Sequence, residues 1–290
     1  RSLSSAASDV YKRQAPMYGK GEAERVVGEA IKERSRDSFR LTTKCALGSM
    51  PDEEVYDRFN TSLIRSLDTM GTDYVDLFLL HSQLIENDHE SQKPDSSFVA
   101  TGNLTTLKSF YDAVVPAMET LKKEGKILNW GIGPGQEEAV CDVINSTTPP
   151  DAIQCGVNVL NSLGAIGYAS IKPNPKLVLD ESKKKDIPIL AIRAVQAGAL
   201  TSKMDREPHP SGFDHPDFAD YEKAQPFREL AEDWGESPAS LAHRYALSID
   251  KVGSVILGIK NREELIECLE AEKKGRLDTE QIYTLENLFN

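Results

Sequence analysis

PDEEVYDRFNTSLIRSLDTMGTDYVDLFLLH, residues 51–81, reads as a helix followed by a buried strand. Its first part, 51–67, opens with Pro51 and three acids, the signature of a helix start. Its second part, TDYVDLFLLH at 72–81, is an apolar run ending on His81. A short strand that is apolar on both faces belongs to a parallel sheet covered by helices.

The same pairing repeats on either side. Upstream, EAERVVGEAIKERS (22–35) has helical apolar spacing, and FRLTTK (39–44) is a β-rich run ending at Lys44. Downstream, the expected strands are ILNWGIG (127–133), AIQCG (152–156), IPILAIRA (187–194) and VGSVILG (252–258). Helices are expected near 113–124, 136–146 and 174–186, from Ser237-Pro238 to about Ser248, and from Asn261. Ser237 reads as an N-cap with proline in the first turn. Strand and helix alternate throughout, which argues for βαβ units. Chemically able residues follow six strand ends: Lys44, His81, Gly133, Gln154, Arg193 and Gly258. In a (β/α)8 barrel those ends meet at one face. A doubly wound sheet is the alternative, with its site at a switch point. Six strand ends bearing candidate groups favour the barrel. Two stretches, 82–112 and 199–221, read as long loops.

Composition narrows the function classes. The 290 residues carry a formal net charge of −12, which argues against a nucleic-acid surface. No apolar run approaches the ~18 residues of a membrane span. The cysteines Cys45, Cys141, Cys155 and Cys268 lie far apart with no C-x-x-C. That reads as reduced thiols in a cytoplasmic protein. His89, His209 and His215 lie in expected loops without recurring ligand spacing, so no metal is expected. GIGPGQ (131–136) is an incomplete dinucleotide motif, with Gln136 at the third glycine.

The first fourteen residues, RSLSSAASDVYKRQ, resemble translated sequencing-adapter sequence. The tail of an organelle transit peptide is the other reading of a Ser- and Arg-rich start. Residues 1–14 are therefore expected to be a non-native leader. Residues 15–290 are expected to form a single domain.

Three residues form a possible reaction centre: Tyr18 in APMYGKGE, Lys44 in LTTK and His81. A phenol with pKa near ~10 is a poor acid at neutral pH unless a nearby cation favours the phenolate. A lysine supplies that cation, and a histidine can orient or polarise a carbonyl oxygen. Together they suit protonation of an oxyanion as hydride reaches its carbon. Taken singly, each has an ordinary structural role: a packing tyrosine, a solvated strand-end lysine, a hydrogen-bonded histidine.

The chain resembles the aldo-keto reductase family over essentially 15–290. The resemblance rests on APMYGKGEAERVVGEAIK, LTTK, SLIRSLDTMGTDYVDLFLLH, PDAIQCGVNVLN, GALTSK, SPASLAHRYALS and ILGIKNREELIECL. It implies a (β/α)8 barrel that reduces an aldehyde or ketone with NADPH, NADH being the other coenzyme weighed. Carried over residue by residue, Tyr18 matches the proton donor, Lys44 its pKa-lowering partner and His81 the carbonyl-orienting group. Gln154 matches the residue that holds the nicotinamide amide. Gly258, Ile259 and Lys260 match the loop on the adenosine phosphate, and Glu267 an adenine contact. The loop running into a helix at Asn261 suits a phosphate, since it offers backbone N–H groups and a helix N-terminus.

The chain also departs from the family's pattern. Arg13 stands where the resemblance implies an aspartate five residues before Tyr18. Gly133-Pro134 replaces a Ser-Asn pair, and Ile192 replaces an aromatic that stacks on nicotinamide. Arg193 then becomes a candidate for the pyrophosphate. Glu264 and Cys268 stand at an arginine and an asparagine of the adenosine site. Lys260 favours the extra phosphate of NADPH and Glu264 opposes it. The six strands, with Asp9–Gln14 as a surrogate seventh, fall short of eight. The barrel is therefore expected to lack its first strand, its first helix and most of its second strand. A non-catalytic, nucleotide-binding regulator of the same fold, or an inactive fragment, is the alternative function. Phe98, Phe110 and Tyr111 are candidates to line a substrate pocket or to pack the 82–112 loop. The expected partner is a small carbonyl substrate, with no nucleic acid and no membrane.

Overall fold

A computed structural model of the chain describes residues 10–13, 21–48, 50–86, 103–167, 170, 172–204 and 216–289, with residues 10–13 described through their backbone alone. It divides into two compact units, one of residues 1–153 with 168–171, the other of 154–167 with 172–290.

The first unit is a run of parallel strands with helices between them. Its strands are β1 (Val10–Arg13), β2 (Phe39–Cys45), β3 (Val75–Leu80) and β6 (Ile127–Ile132). They pair in that order, and Ala152 and Ile153 at the start of β7 (Ala152–Gly156) continue the ladder beside β6. Strand β1 forms where the surrogate was expected, and its Arg13 lies opposite Thr42 of β2. Helix α1 (Glu22–Ile31) leads into β2, and α2 (Val55–Met70) leads into β3. The expected acidic start of α2 is a short 3-10 turn, Asp52–Glu54. Its end is Gly71, whose left-handed φ of 66° lets its N–H reach the carbonyls of Leu67 and Asp68. Phe59 and Leu63 of α2 and Phe78, Leu79 and Leu80 of β3 are fully buried. Phe59 meets Phe78 edge to face at 5.6 Å. This buried seam is what the apolar reading of 51–81 foretold.

The stretch read as a long loop at 82–112 carries structure at both described ends. Gln83–Ile85 (β4) and Leu104–Thr106 (β5) form a two-stranded parallel ribbon. A single helical turn, α3 (Leu107–Ser109), then runs through a π-helical stretch, Phe110–Val114, into α4 (Val115–Lys123). Phe110 is fully buried between Tyr111 and Trp130, so it packs the core. Phe98 lies outside the described residues. The glycines of GIGPGQ precede α5 (Glu137–Asn145) and answer to packing. A Cβ on Gly135 would come within 2.6 Å of the Leu84 amide nitrogen, and one on Gly131 would strike the Ala152 carbonyl.

The second unit contains the rest of β7, then α6 (Pro175–Lys184), β8 (Ile189–Ile192) and five further helices. These are α7 (Pro216–Lys223), α8 (Gln225–Asp233), α9 (Pro238–Ser248), α10 (Arg262–Lys274) and α11 (Thr279–Glu286). Between α9 and α10 lies β9 (Val252–Val255), paired in parallel with β8. Ser237 caps α9 as expected, accepting the Ser240 N–H with Pro238 at the first turn. Phe227, Leu241, Leu285 and their neighbours form this unit's apolar core. The stretch 199–221, read as a loop, gives way to helix at Pro216. Proline in the first turn followed by Asp217 is the start signal that the reading passed over.

Candidate active site

Strand alternation decides where Lys44 points. Its neighbour Thr43 donates its hydroxyl to the buried Glu24 carboxylate of α1 at 2.7 Å. Successive side chains leave a strand on opposite faces, so Lys44 projects away from α1. It is 2% exposed. Its Nζ lies 3.0 Å from Nε2 of His81. His81 stands one residue beyond β3 and is held to β2 by its own N–H on the Cys45 carbonyl, 2.8 Å. A protonated lysine has only hydrogens to offer. Nε2 of a neutral His81 then accepts, and Nδ1 carries the ring proton. The structure thus brings together two of the three expected reaction-centre residues. Tyr18 lies outside the described residues, and Arg13 is described through its backbone alone. Two residues absent from the sequence reading, Ser82 and Asn103, hydrogen-bond around the main chain of His81.

The expected coenzyme residues belong to the second unit. Gln154 on β7 is 3% exposed, and its Nε2 has no hydrogen-bond partner among the described residues. A buried amide donor without a partner costs free energy of about 1–3 kcal/mol. A bound carboxamide oxygen would satisfy it, so this residue fits a nicotinamide. Arg193 has a left-handed backbone, φ 58°, just past β8. Its guanidinium pairs with the buried Asp217 carboxylate and donates to Gln196 Oε1 at 2.9 Å. Asn158 donates to the Arg193 carbonyl, and Gln196 and Ser162 both donate to Asp220. Arg193 is therefore the centre of a polar brace between the loop after β8 and the start of α7. None of those partners stood out from sequence: Asp217 and Asn158 lie 24 and 35 residues from Arg193, and Gln196, three residues on, sits in no pattern that marks it.

The loop after β9 is exposed, as a phosphate site requires, and Asn261 caps α10 by accepting the Glu264 N–H at 2.9 Å. Glu264 turns back over this loop. Its carboxylate accepts the Lys260 N–H at 2.8 Å and lies 3.8 Å from Lys260 Nζ. An anion thus sits where the resemblance places a phosphate. Ile259 is exposed beside it. Glu267 accepts a hydrogen bond from the Ser237 hydroxyl, and Cys268 Sγ lies 3.8 Å from His243 Nε2. Burial, with the Glu267 and Glu264 charges, pushes the Cys268 thiol up to about 11, so it is neutral at pH 7. Burial also lowers the His243 pKa.

Among the described residues, no group of three or more His, Cys, Asp or Glu side chains could hold a metal, and no helix is long and apolar enough to cross a membrane.

The chain belongs to the aldo/keto reductase family, whose model it matches over residues 14–290. Members of the family use nicotinamide coenzymes. The chain is 25% identical over 287 residues to the uncharacterized oxidoreductase YqkF of Bacillus subtilis, a match covering 96% of this chain and 82% of the relative. It is 30% identical over 192 residues to the methylglyoxal reductase YeaE of Escherichia coli, covering 66% and 55% of the two chains. Among solved structures it resembles the holo form of aldo-keto reductase AKR11C1 from Bacillus halodurans. That match has a TM-score of 0.71 at 19% identity and covers 96% of this chain and 82% of the other. The likeness shows the fold class expected from the alternating strands and helices.

Proposed function

We propose that the chain reduces an aldehyde or ketone to an alcohol with a nicotinamide coenzyme, NADPH before NADH. The observation that carries this reading is the buried Lys44 with its Nζ 3.0 Å from His81 Nε2. A buried lysine against an imidazole at two neighbouring strand ends is a costly arrangement for packing alone. It suits a site that moves a proton. When bound, the coenzyme supplies hydride to the carbonyl carbon. Tyr18 gives its phenolic proton to the carbonyl oxygen. Lys44, as an ammonium, favours the phenolate left behind. His81 orients the carbonyl, its ring fixed by the bond to Lys44. Gln154 holds the nicotinamide carboxamide through its buried Nε2. The Lys260 side chain and the amides of 258 and 259 receive the adenosine phosphate, while Glu267 and Cys268 flank the adenine.

The test is steady-state reduction of methylglyoxal, the compound named for the Escherichia coli relative, with NADPH and then NADH. Tyr18→Phe removes only the phenolic hydroxyl, and with it the acidic proton. Turnover is expected to fall by about 10²–10⁴-fold, the usual worth of a general acid, with coenzyme affinity kept. Equal turnover in the two proteins would overturn the assignment. Nucleotide binding with no turnover on any of a panel of aldehydes would favour the regulatory alternative.

A further inference from the structure

The main-chain ladder between β2 and β3 ends just where the reaction centre begins. Its last rung runs from the His81 N–H to the Cys45 carbonyl. Beyond it, side chains take over. The Leu47 N–H donates to the Ser82 hydroxyl oxygen at 3.0 Å. That hydroxyl donates to Asn103 Oδ1 at 3.0 Å. Asn103 Nδ2 then donates to the His81 carbonyl at 3.1 Å. The Asn103 carbonyl accepts the Gln83 N–H at 3.0 Å. Ser82 is 1% exposed and Asn103 7%, so these bonds are made away from water.

The direction of the chain of bonds is fixed. A backbone carbonyl only accepts, so the amide nitrogen of Asn103 must face His81 and its oxygen must face Ser82. The outcome is a closed clamp. It holds the peptide after His81 on one side and the segment three residues past Lys44 on the other. Without it, the carbonyl of His81 and the N–H of Leu47 would each lose a buried partner, and the backbone that aims the imidazole would be held on its N–H side alone.

We infer that Asn103, bonded to the His81 carbonyl and tied through Ser82 to Leu47, is a positioning residue that sets the His81 ring against Lys44. It touches neither substrate nor coenzyme in this role. The inference rests on the proposed carbonyl chemistry for its kinetic consequence, but not for its structural one. A misplacement near 1 Å at a reacting group can cost about 10²-fold in rate. A residue that merely held the fold would lower the melting temperature and leave the turnover of folded protein unchanged.

The experiment compares the full chain with Asn103→Ala and Ser82→Ala, using protein labelled with ¹⁵N at histidine. The His81 ring signals are assigned by their loss in His81→Asn. Two readouts are taken: ring ¹⁵N shifts, and kcat and KM for methylglyoxal with NADPH. The wild-type ring is expected to show Nδ1 protonated and Nε2 as acceptor. In Asn103→Ala these shifts move toward the mixed values of a free imidazole. Turnover falls by about 10–100-fold with KM within about threefold. Ser82→Ala moves both readouts in the same direction and less far, and it carries the test if Asn103→Ala does not fold. Ring shifts that coincide with wild type in the folded variants would overturn the inference. Absence of activity in the wild type would instead overturn the functional reading, and the ring shifts would still decide the clamp.

Discussion

Lys44 and Arg193 are both cations at strand ends, and they are held differently. Lys44 lies against an imidazole nitrogen. Arg193 lies against the buried carboxylate of Asp217, within a net of amides and a hydroxyl. An imidazole can exchange the role of donor for that of acceptor, so a lysine beside it can take part in moving a proton. A carboxylate fixes an arginine as a permanent ion pair, so its energy goes into holding two segments together. The same kind of residue, at the same kind of place in a βα unit, thus serves chemistry in one region and architecture in the other.

The largest expected effects separate these two roles. Lys44→Met keeps the side-chain length and removes the charge. It should lower kcat by about 10²–10⁴-fold, while stability holds or rises because a buried charge has gone. Asp217→Ala should do the reverse. It takes the carboxylate away from the Arg193 guanidinium, and removing one partner of a buried pair costs about 3–5 kcal/mol. Urea unfolding of the two variants, read beside turnover, checks both. If Lys44→Met unfolds the protein and Asp217→Ala does not, the two cations have been assigned the wrong way round.

This contrast also marks how far sequence can be read. The six strands at 39–44, 72–81, 127–133, 152–156, 187–194 and 252–258 were legible because each is an apolar run between turn signals, and all are found: 152–156 as expected, 39–44 one residue longer, the other four with trimmed ends. Placing a strand places its last residue, so Lys44 and His81 were legible as neighbours. The bonds of Arg193 were not. Asp217 is 24 residues away, and no periodicity names a partner at that distance. Asn103 was hidden for the same reason. It is 21 residues from Ser82, with nothing in its own surroundings to mark it. Charge counting likewise saw Lys260 as favouring a phosphate and Glu264 as opposing it. It did not see that the glutamate bonds to the lysine's own backbone N–H.

Gln154 offers a smaller effect with a sharper sign. An unpartnered buried amide is a liability in the free protein, so Gln154→Leu should leave stability unchanged or raise it by up to about 1 kcal/mol. If the amide is kept for a nicotinamide, the same change should weaken coenzyme binding by about tenfold, the worth of one lost hydrogen bond to a buried group. Thermal melting and coenzyme titration by fluorescence give the two numbers. A gain in stability with unchanged affinity would leave Gln154 as an unmet packing cost and remove it from the site.

The smallest effect concerns Glu264, and it discriminates between coenzymes. The carboxylate lies on an exposed loop 3.8 Å from Lys260 Nζ, and such surface pairs are worth about 0.2–1 kcal/mol. Glu264→Gln keeps an oxygen for the Lys260 N–H and removes the charge. If the loop receives the phosphate that distinguishes NADPH, the variant should bind NADPH about two- to fivefold more tightly and NADH as before. The gain should shrink as salt is raised, since the repulsion relieved is between solvent-exposed charges. An equal change for both coenzymes would mean that Glu264 only shapes the loop through its backbone bond. No change for either would move the phosphate away from residues 258–260 altogether.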